Sequence, residues 1–249
     1  MTPILRKPSL LLAATALALL PACAQPSAGA ASKSEIEKIV RDYIIENPEI
    51  IEEALIALSE KEKVAQAAAA KAAIAANADR LYAHAGDYAI GPDDAKVTVV
   101  EFFDYRCGYC KRSVDWVRDL PEEYDGQVRV VFKELPIFGG VSETAALAAL
   151  AAGKQGKYLE MHMGLMNIKS NDDLTEANID AVAQAAGINV AKMRADMKSA
   201  PVKKQLADMK ALGESLVVTG TPGFFIGDNH IEGANLPKIE AAIEAALKS

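Results

Sequence analysis

Cysteine, histidine and tryptophan are scarce in this chain, with three, three and one among 249 residues. Three cysteines are too few for a disulfide-stapled scaffold, so stability must come from an apolar core. There is no second cysteine pair and no histidine pair at ligand spacing, so no metal site is expected. Basic residues are outnumbered: Lys+Arg 27 against Asp+Glu 34 gives −7. A nucleic-acid binder needs a basic face, so that class is set aside. No apolar run approaches the roughly 20 residues of a membrane-spanning helix. With 51% apolar and 24% charged residues, what is left is a folded, mildly acidic globular protein.

Each cysteine then needs its own explanation. Cys23 falls in a targeting segment. Arg6 and Lys7 precede Leu10–Leu20, which is apolar but for one Thr, and Ala22-Cys23-Ala24 is a small-x-small cleavage site. Residues 1–24 therefore read as a signal peptide. The alternative is a lipoprotein box, Leu20-Pro21-Ala22-Cys23, in which Pro21 is out of place. Residues 25–33 are small and polar and read as a linker. Export puts the mature chain where disulfides form and persist.

Residues 34–82 read as helix. Ser34 with Glu37 has the spacing of a capping box, and Ile36, Ile39, Val40, Tyr43 and Ile44 share a face. Asn47-Pro48 interrupts, and a second amphipathic stretch carries Ile51, Ala54, Leu55 and Leu58. Ten of the fifteen residues in Val64–Ala78 are alanine, which favours helix but offers little to bury. Two readings follow: a helix lying on the domain surface, or a stalk with self-associating helices at its far end. The stalk is the expected one.

From residue 96 onward the pattern is α/β. Gly86–Asp94 reads as turns. Val97–Phe103 and Val128–Phe132 read as buried strands, with the body of a helix at Lys111–Leu120 between them. A helical insertion spans about 141–215. A hairpin (Gly223–Ile226, Asn229–Glu232) and a helix (Leu236–Leu247) close the chain.

Chemistry concentrates at Cys107-Gly108-Tyr109-Cys110, where the first strand hands over to a helix. The free N–H groups and positive dipole end of a helix start stabilise a thiolate. Such a cysteine has its pKa lowered from about 8.5 into the range of roughly 3.5–7.5. Cys107 is the candidate nucleophile and Cys110 the candidate resolving thiol; an inert structural disulfide is the competing reading. Glu101, on the strand face of Phe103, is a candidate buried acid that shuttles a proton to or from Cys110. Thr221-Pro222 opens a late strand between Gly220 and Gly223. That context favours a cis bond, and Pro222, lacking an N–H, leaves the Thr221 backbone free to pair with an extended substrate beside Cys107. Met161-His162-Met163 and Met166 could hold Cu(I) as soft ligands, but they also sit at the spacing of helical core residues.

FFDYRCGYCK with the later TGTPGFFI resembles the DsbA-like branch of the thioredoxin superfamily, over about residues 96–249. Within it, RDYIIENPEIIEEAL is similar to the suppressor-of-copper-sensitivity C (ScsC) and Com1-like proteins and extends the match to about Ser34. The resemblance implies a thioredoxin fold with an inserted helical domain, preceded by a helical oligomerisation stalk, in the ScsC branch a trimer. It implies Cys107 as nucleophile, Cys110 as resolving cysteine, Glu101 as buried acid and Thr221-Pro222 as the cis-proline loop, with Gly108 and Tyr109 beside the substrate. It implies periplasmic thiol–disulfide exchange on unfolded or misfolded exported proteins. The dithiol needs no cofactor, and a membrane redox partner would reset it. CGYC with Thr before the proline resembles the isomerases more than the strong oxidase. The alternatives are a dithiol oxidase, or a copper-binding protein or chaperone whose CxxC is incidental.

Overall fold

The computed structural model describes residues 32–248. The expected signal peptide, most of the expected linker and Cys23 lie outside the described residues. The chain divides into two compact units, one ending at Ala57 and one beginning at Leu58.

The first unit holds helix α1 (Lys33–Glu46) and the beginning of α2 (Glu49–Ala76). The capping box is present two residues earlier than expected. Ser32 accepts from the Glu35 N–H, and the Glu35 carboxylate accepts the Ser32 N–H at 2.8 Å. Asn47 ends α1 rather than opening α2, its amide donating to the Tyr43 carbonyl at 2.9 Å. No residue of α1 is buried; Ile36, Ile39, Val40, Tyr43, Ile51 and Leu55 all face outward uncovered.

In the second unit the alanine-rich part of α2 is not free along its whole length. Ile74 is buried, Lys71 pairs with Asp228 at 2.7 Å, and the short α3 (Ala78–Tyr82) buries Leu81. Any spacer role therefore stops short of Lys71.

The sheet has five strands, β1 (Tyr88–Ile90), β2 (Val97–Phe103), β3 (Val128–Glu134), β4 (Gly223–Ile226) and β5 (Asn229–Glu232), in the order β1-β3-β2-β4-β5. β2 and β3 are parallel, and the other pairings are antiparallel. β1 lies in the stretch read as turns, so the sheet begins before residue 96. Its Tyr88 stacks on Tyr158 at 4.1 Å and fits over Gly153, where any side chain would collide with the phenol ring. β3 runs two residues past the expected Phe132.

Between β2 and β3 lies α4 (Gly108–Glu123). Between β3 and β4 lie the inserted helices α5 (Val141–Gly153), α6 (Tyr158–Met166), α7 (Glu176–Ala185), α8 (Val190–Met197) and α9 (Ala200–Ser215). α10 (Leu236–Leu247) ends the fold. Strand alternation divides the apolar residues. Val97, Val99, Phe103, Val130 and Phe132 join one core with α4, α10 and most of the insertion; Val100, Phe102 and Val131 join a smaller one with Ile74, Leu81 and the end of α9.

Candidate active site

Cys107 occupies the N-cap of α4, with Gly108 as the first helical residue. Its Sγ lies 3.1 Å from the Thr221 carbonyl oxygen, and the Thr221-Pro222 bond is cis. The chain's two ends of chemistry, 114 residues apart, thus meet at one sulfur. Both cysteines are free thiols. The Cys107 thiol is lowered to about 5, first by a hydrogen bond from Cys110, then by Thr221 and the backbone N–H groups of Cys110 and Tyr109, against the opposing effect of burial. Cys110, completely buried one turn into the helix, is pushed far up by burial and by donating to Cys107. Opposite shifts make the pair asymmetric: one thiolate at neutral pH, one thiol.

Glu101 is buried on the face shared by Val99 and Phe103. Burial first, and then the negative charge of Cys107, raise its carboxyl to about 8. It interacts electrostatically with both Cys107 and Cys110. Tyr109 is 61% exposed beside the dithiol, its ring carrying the Arg112 guanidinium 4.3 Å from the centroid. A groove of about 720 Å³ opens there, lined by Tyr109, Gly220, Thr221, Glu232, Gly233 and Asn235. On its wall the Pro222 carbonyl accepts the Gly233 N–H at 2.8 Å. The structure thus brings together the seven residues expected at the dithiol site: Glu101, Cys107, Gly108, Tyr109, Cys110, Thr221 and Pro222.

The methionine-rich stretch is core. Met161, His162 and Met166 are at most 1% exposed, and the His162 ring packs against Phe103, Phe132 and Tyr158. Burial holds that imidazole down at about 3. Sequence reasoning missed the polar residues that hold the turn before Cys107. Asp104 accepts from the Arg106 N–H, the Phe138 N–H and the Ser142 hydroxyl, which ties the turn before Cys107 to the loop after β3. Glu134, buried on the face of Glu101, accepts from two tyrosines.

The sequence model of the Thioredoxin family matches residues 83–245, and that of the copper resistance protein ScsC N-terminal domain matches 33–65. The chain belongs to the thioredoxin family. A solved Proteus mirabilis ScsC variant with a linker deletion is 30% identical, with a TM-score of 0.67 over 89% of this chain and 99% of that one. A probable disulfide bond formation protein D of Bacillus cereus is 27% identical over 68% of this chain and 83% of its own length. A Na(+)/H(+) antiporter of Salinispora tropica is 34% identical over 66% of this chain. That match spans only 25% of the antiporter. Among the described residues, no helix is long and apolar enough to cross a membrane. The thioredoxin-family chain is a thiol–disulfide oxidoreductase of the DsbA and ScsC type, with a thioredoxin fold and an inserted helical region.

Proposed function

We propose that the protein is a periplasmic disulfide isomerase or reductase acting on misfolded exported proteins. The observation that carries the chemistry is the split between the two thiols, Cys107 lowered to about 5 and Cys110 raised. The Cys107 thiolate attacks one sulfur of a client disulfide; a Cys107–client bond forms and the other client sulfur leaves as thiolate. In isomerisation a client thiolate then attacks the mixed disulfide, forms a new client disulfide and returns Cys107 reduced. In reduction Cys110 attacks Cys107 instead, its proton passing to the ionised form of Glu101, and the client leaves with both sulfurs reduced. That form gains population once the Cys107 charge is lost in the mixed disulfide. A membrane partner then re-reduces the dithiol.

Client backbone pairs with Thr221 and lies along the groove beside Tyr109 and Pro222. The exposed apolar faces around Ile39, Tyr43 and Leu55 support self-association, since short helices need packing to persist in water. The similarity to the ScsC N-terminal domain favours a trimer. Several active sites around one client hinder an oxidant's access, which suits an isomerase.

Refolding of scrambled ribonuclease by the parent and by Cys107→Ser tests the reaction. Recovery with the parent alone is expected; equal recovery with both would end this reading. The reduction potential against glutathione separates isomerase from oxidase.

A further inference from the structure

Glu134 and three other side chains, drawn together from three parts of the fold, converge in the core. One oxygen, Oε1, accepts from the Tyr105 hydroxyl at 2.9 Å and from the Tyr158 hydroxyl at 2.9 Å. The Tyr105 oxygen also lies 3.3 Å from His162 Nδ1. Glu134 and Tyr105 are 1% exposed, His162 1% and Tyr158 5%. Glu134 ends β3, Tyr158 and His162 belong to α6 of the insertion, and Tyr105 sits in the turn between β2 and the nucleophile.

Polar contacts hold that turn on either side of Tyr105: Asp104 accepts from the Phe138 N–H and the Ser142 hydroxyl, and the Asn171 amide donates to the Arg106 carbonyl at 2.9 Å. The turn's backbone closes through the Cys107 N–H donating to the Asp104 carbonyl at 3.0 Å. Tyr105 is its one large side chain driven wholly into the core, two residues before Cys107. Its ring packs edge-on to Phe103 at 5.3 Å and to His162 at 5.6 Å, contacts that orient the ring but set its depth less sharply than a hydrogen bond does. The hydroxyl on Glu134 fixes the far end. The thiolate at Cys107 depends on backbone N–H groups and a thiol held at hydrogen-bonding distance, contacts that weaken steeply when donors move.

We propose that Glu134 is a positioning residue for the nucleophile, locking through Tyr105 the turn that aims Cys107 at the helix start and the cis-proline loop. The proposal rests on the reading of Cys107 as the attacking thiol. Tyr158 anchors the same carboxylate from the insertion and meets the turn at the Tyr105 hydroxyl. Burial raises Glu134 well above the usual carboxylate range and keeps His162 neutral, so the cluster holds the turn by hydrogen bonds rather than by a charge directed at the sulfur.

Two phenol deletions on the one oxygen test this in the reduced full-length protein. Tyr105→Phe and Tyr158→Phe each remove one neutral hydrogen bond to Glu134. The Cys107 titration is followed by thiolate absorbance, and its alkylation rate is measured below the parent midpoint. Tyr105→Phe is expected to raise the midpoint and slow alkylation about threefold or more. Tyr158→Phe should lose comparable thermal stability and move the midpoint clearly less, since it meets the turn at the Tyr105 hydroxyl and supplies none of its backbone. Glu134→Leu should behave as Tyr105→Phe, and Glu134→Gln, which keeps an oxygen acceptor, should restore most of the parent behaviour. An unmoved midpoint in Tyr105→Phe, or equal shifts in both phenylalanine variants, overturns the proposal. If Glu134→Leu does not fold, the tyrosine pair decides alone. Absence of ribonuclease refolding by the parent, with the midpoint pattern intact, would defeat the isomerase reading and leave the positioning role standing.

Discussion

The two faces of the sheet bury ionisable groups by opposite means. Toward α4, Glu101 and Glu134 have no cationic partner among the described residues; burial raises both carboxyls, so each tends to carry its proton. On the other face, Lys133 is equally buried but pairs with Asp87 and also donates to the Arg80 carbonyl at 2.7 Å. There burial pushes Asp87 up and Lys133 down, and mutual attraction opposes both. One face meets a buried charge with a counter-charge, whereas the other satisfies Glu134 with two tyrosine hydroxyls and leaves Glu101 close to the dithiol, where a proton could be exchanged. Adjacent residues of one strand, Lys133 and Glu134, thus serve different ends.

The largest effect expected on the reactive face is at Cys107 itself. Cys107→Ser should reduce client exchange by about a thousandfold or more, read by ribonuclease refolding. On the matched face the largest effect is on stability. Asp87→Ala strands a buried ammonium and should cost about 3–5 kcal/mol in chemical denaturation. Replacing both partners, Lys133→Met with Asp87→Leu, should recover most of that loss. If the double variant is as unstable as the single one, the ion pair is more than a matched burial.

Proton exchange on the reactive face gives the next effect, and its sign is fixed. Glu101 titrates near 8 in the fold against 4.5 in the ordinary state, so its contribution to stability is complete below 4.5 and is lost as pH rises through 8. Cys107 runs the other way. Lowered from 9.0 to about 5, it contributes fully above 9 and loses that contribution as pH falls through 5. Between pH 5 and 8 the two slopes oppose in the reduced protein. Glu101→Gln should therefore gain stability with rising pH, by at most a few kcal/mol at about 1.4 kcal/mol per tenfold change in acidity. Cys107→Ser should lose stability over the same range. Glu101→Gln should also slow the step that needs the Cys110 proton by about tenfold. Parallel pH profiles in the two variants would refute the assignment.

The reactive face was the more legible one in the sequence. VTVVEFF alternates strictly enough to put Glu101 with Phe103, and CGYC and the proline between glycines announce themselves by local chemistry. The hairpin around Gly227-Asp228 and the last helix were legible for the same reason: turn residues bound each apolar run. Glu134 was not, because Lys133 and Glu134 interrupt the apolar pattern and make the strand look finished at Phe132. Only the pairing of Phe103 with Glu134 in the parallel ladder shows that the strand continues. β1 is three residues long and pairs only with β3, so nothing local marks it. The matched face depends on contacts at long range, Lys133 with Asp87 and with Arg80, which no spacing rule can foresee.

The smallest expected effect isolates what burial adds. Lys71 and Asp228 form an ion pair of ordinary length, 2.7 Å, and join the alanine-rich helix to the hairpin tip. Their side chains are 61% and 58% exposed, against 2% and 5% for Lys133 and Asp87. In water the attraction is screened and two long side chains must be ordered to make it, so such pairs contribute about 0–1 kcal/mol. Nearby, the Tyr82 hydroxyl donates to the Gly227 carbonyl at 2.6 Å and Ile74 is buried, so the helix keeps other attachments to the hairpin and sheet. Lys71→Ala should therefore shift the denaturation midpoint barely, and high salt should erase even that difference. Loss of stability comparable to Asp87→Ala would mean that the helix end is held by charge rather than by Ile74, Leu81 and Tyr82. The contrast between matched burial and exposed pairing would then fail on its own sheet face.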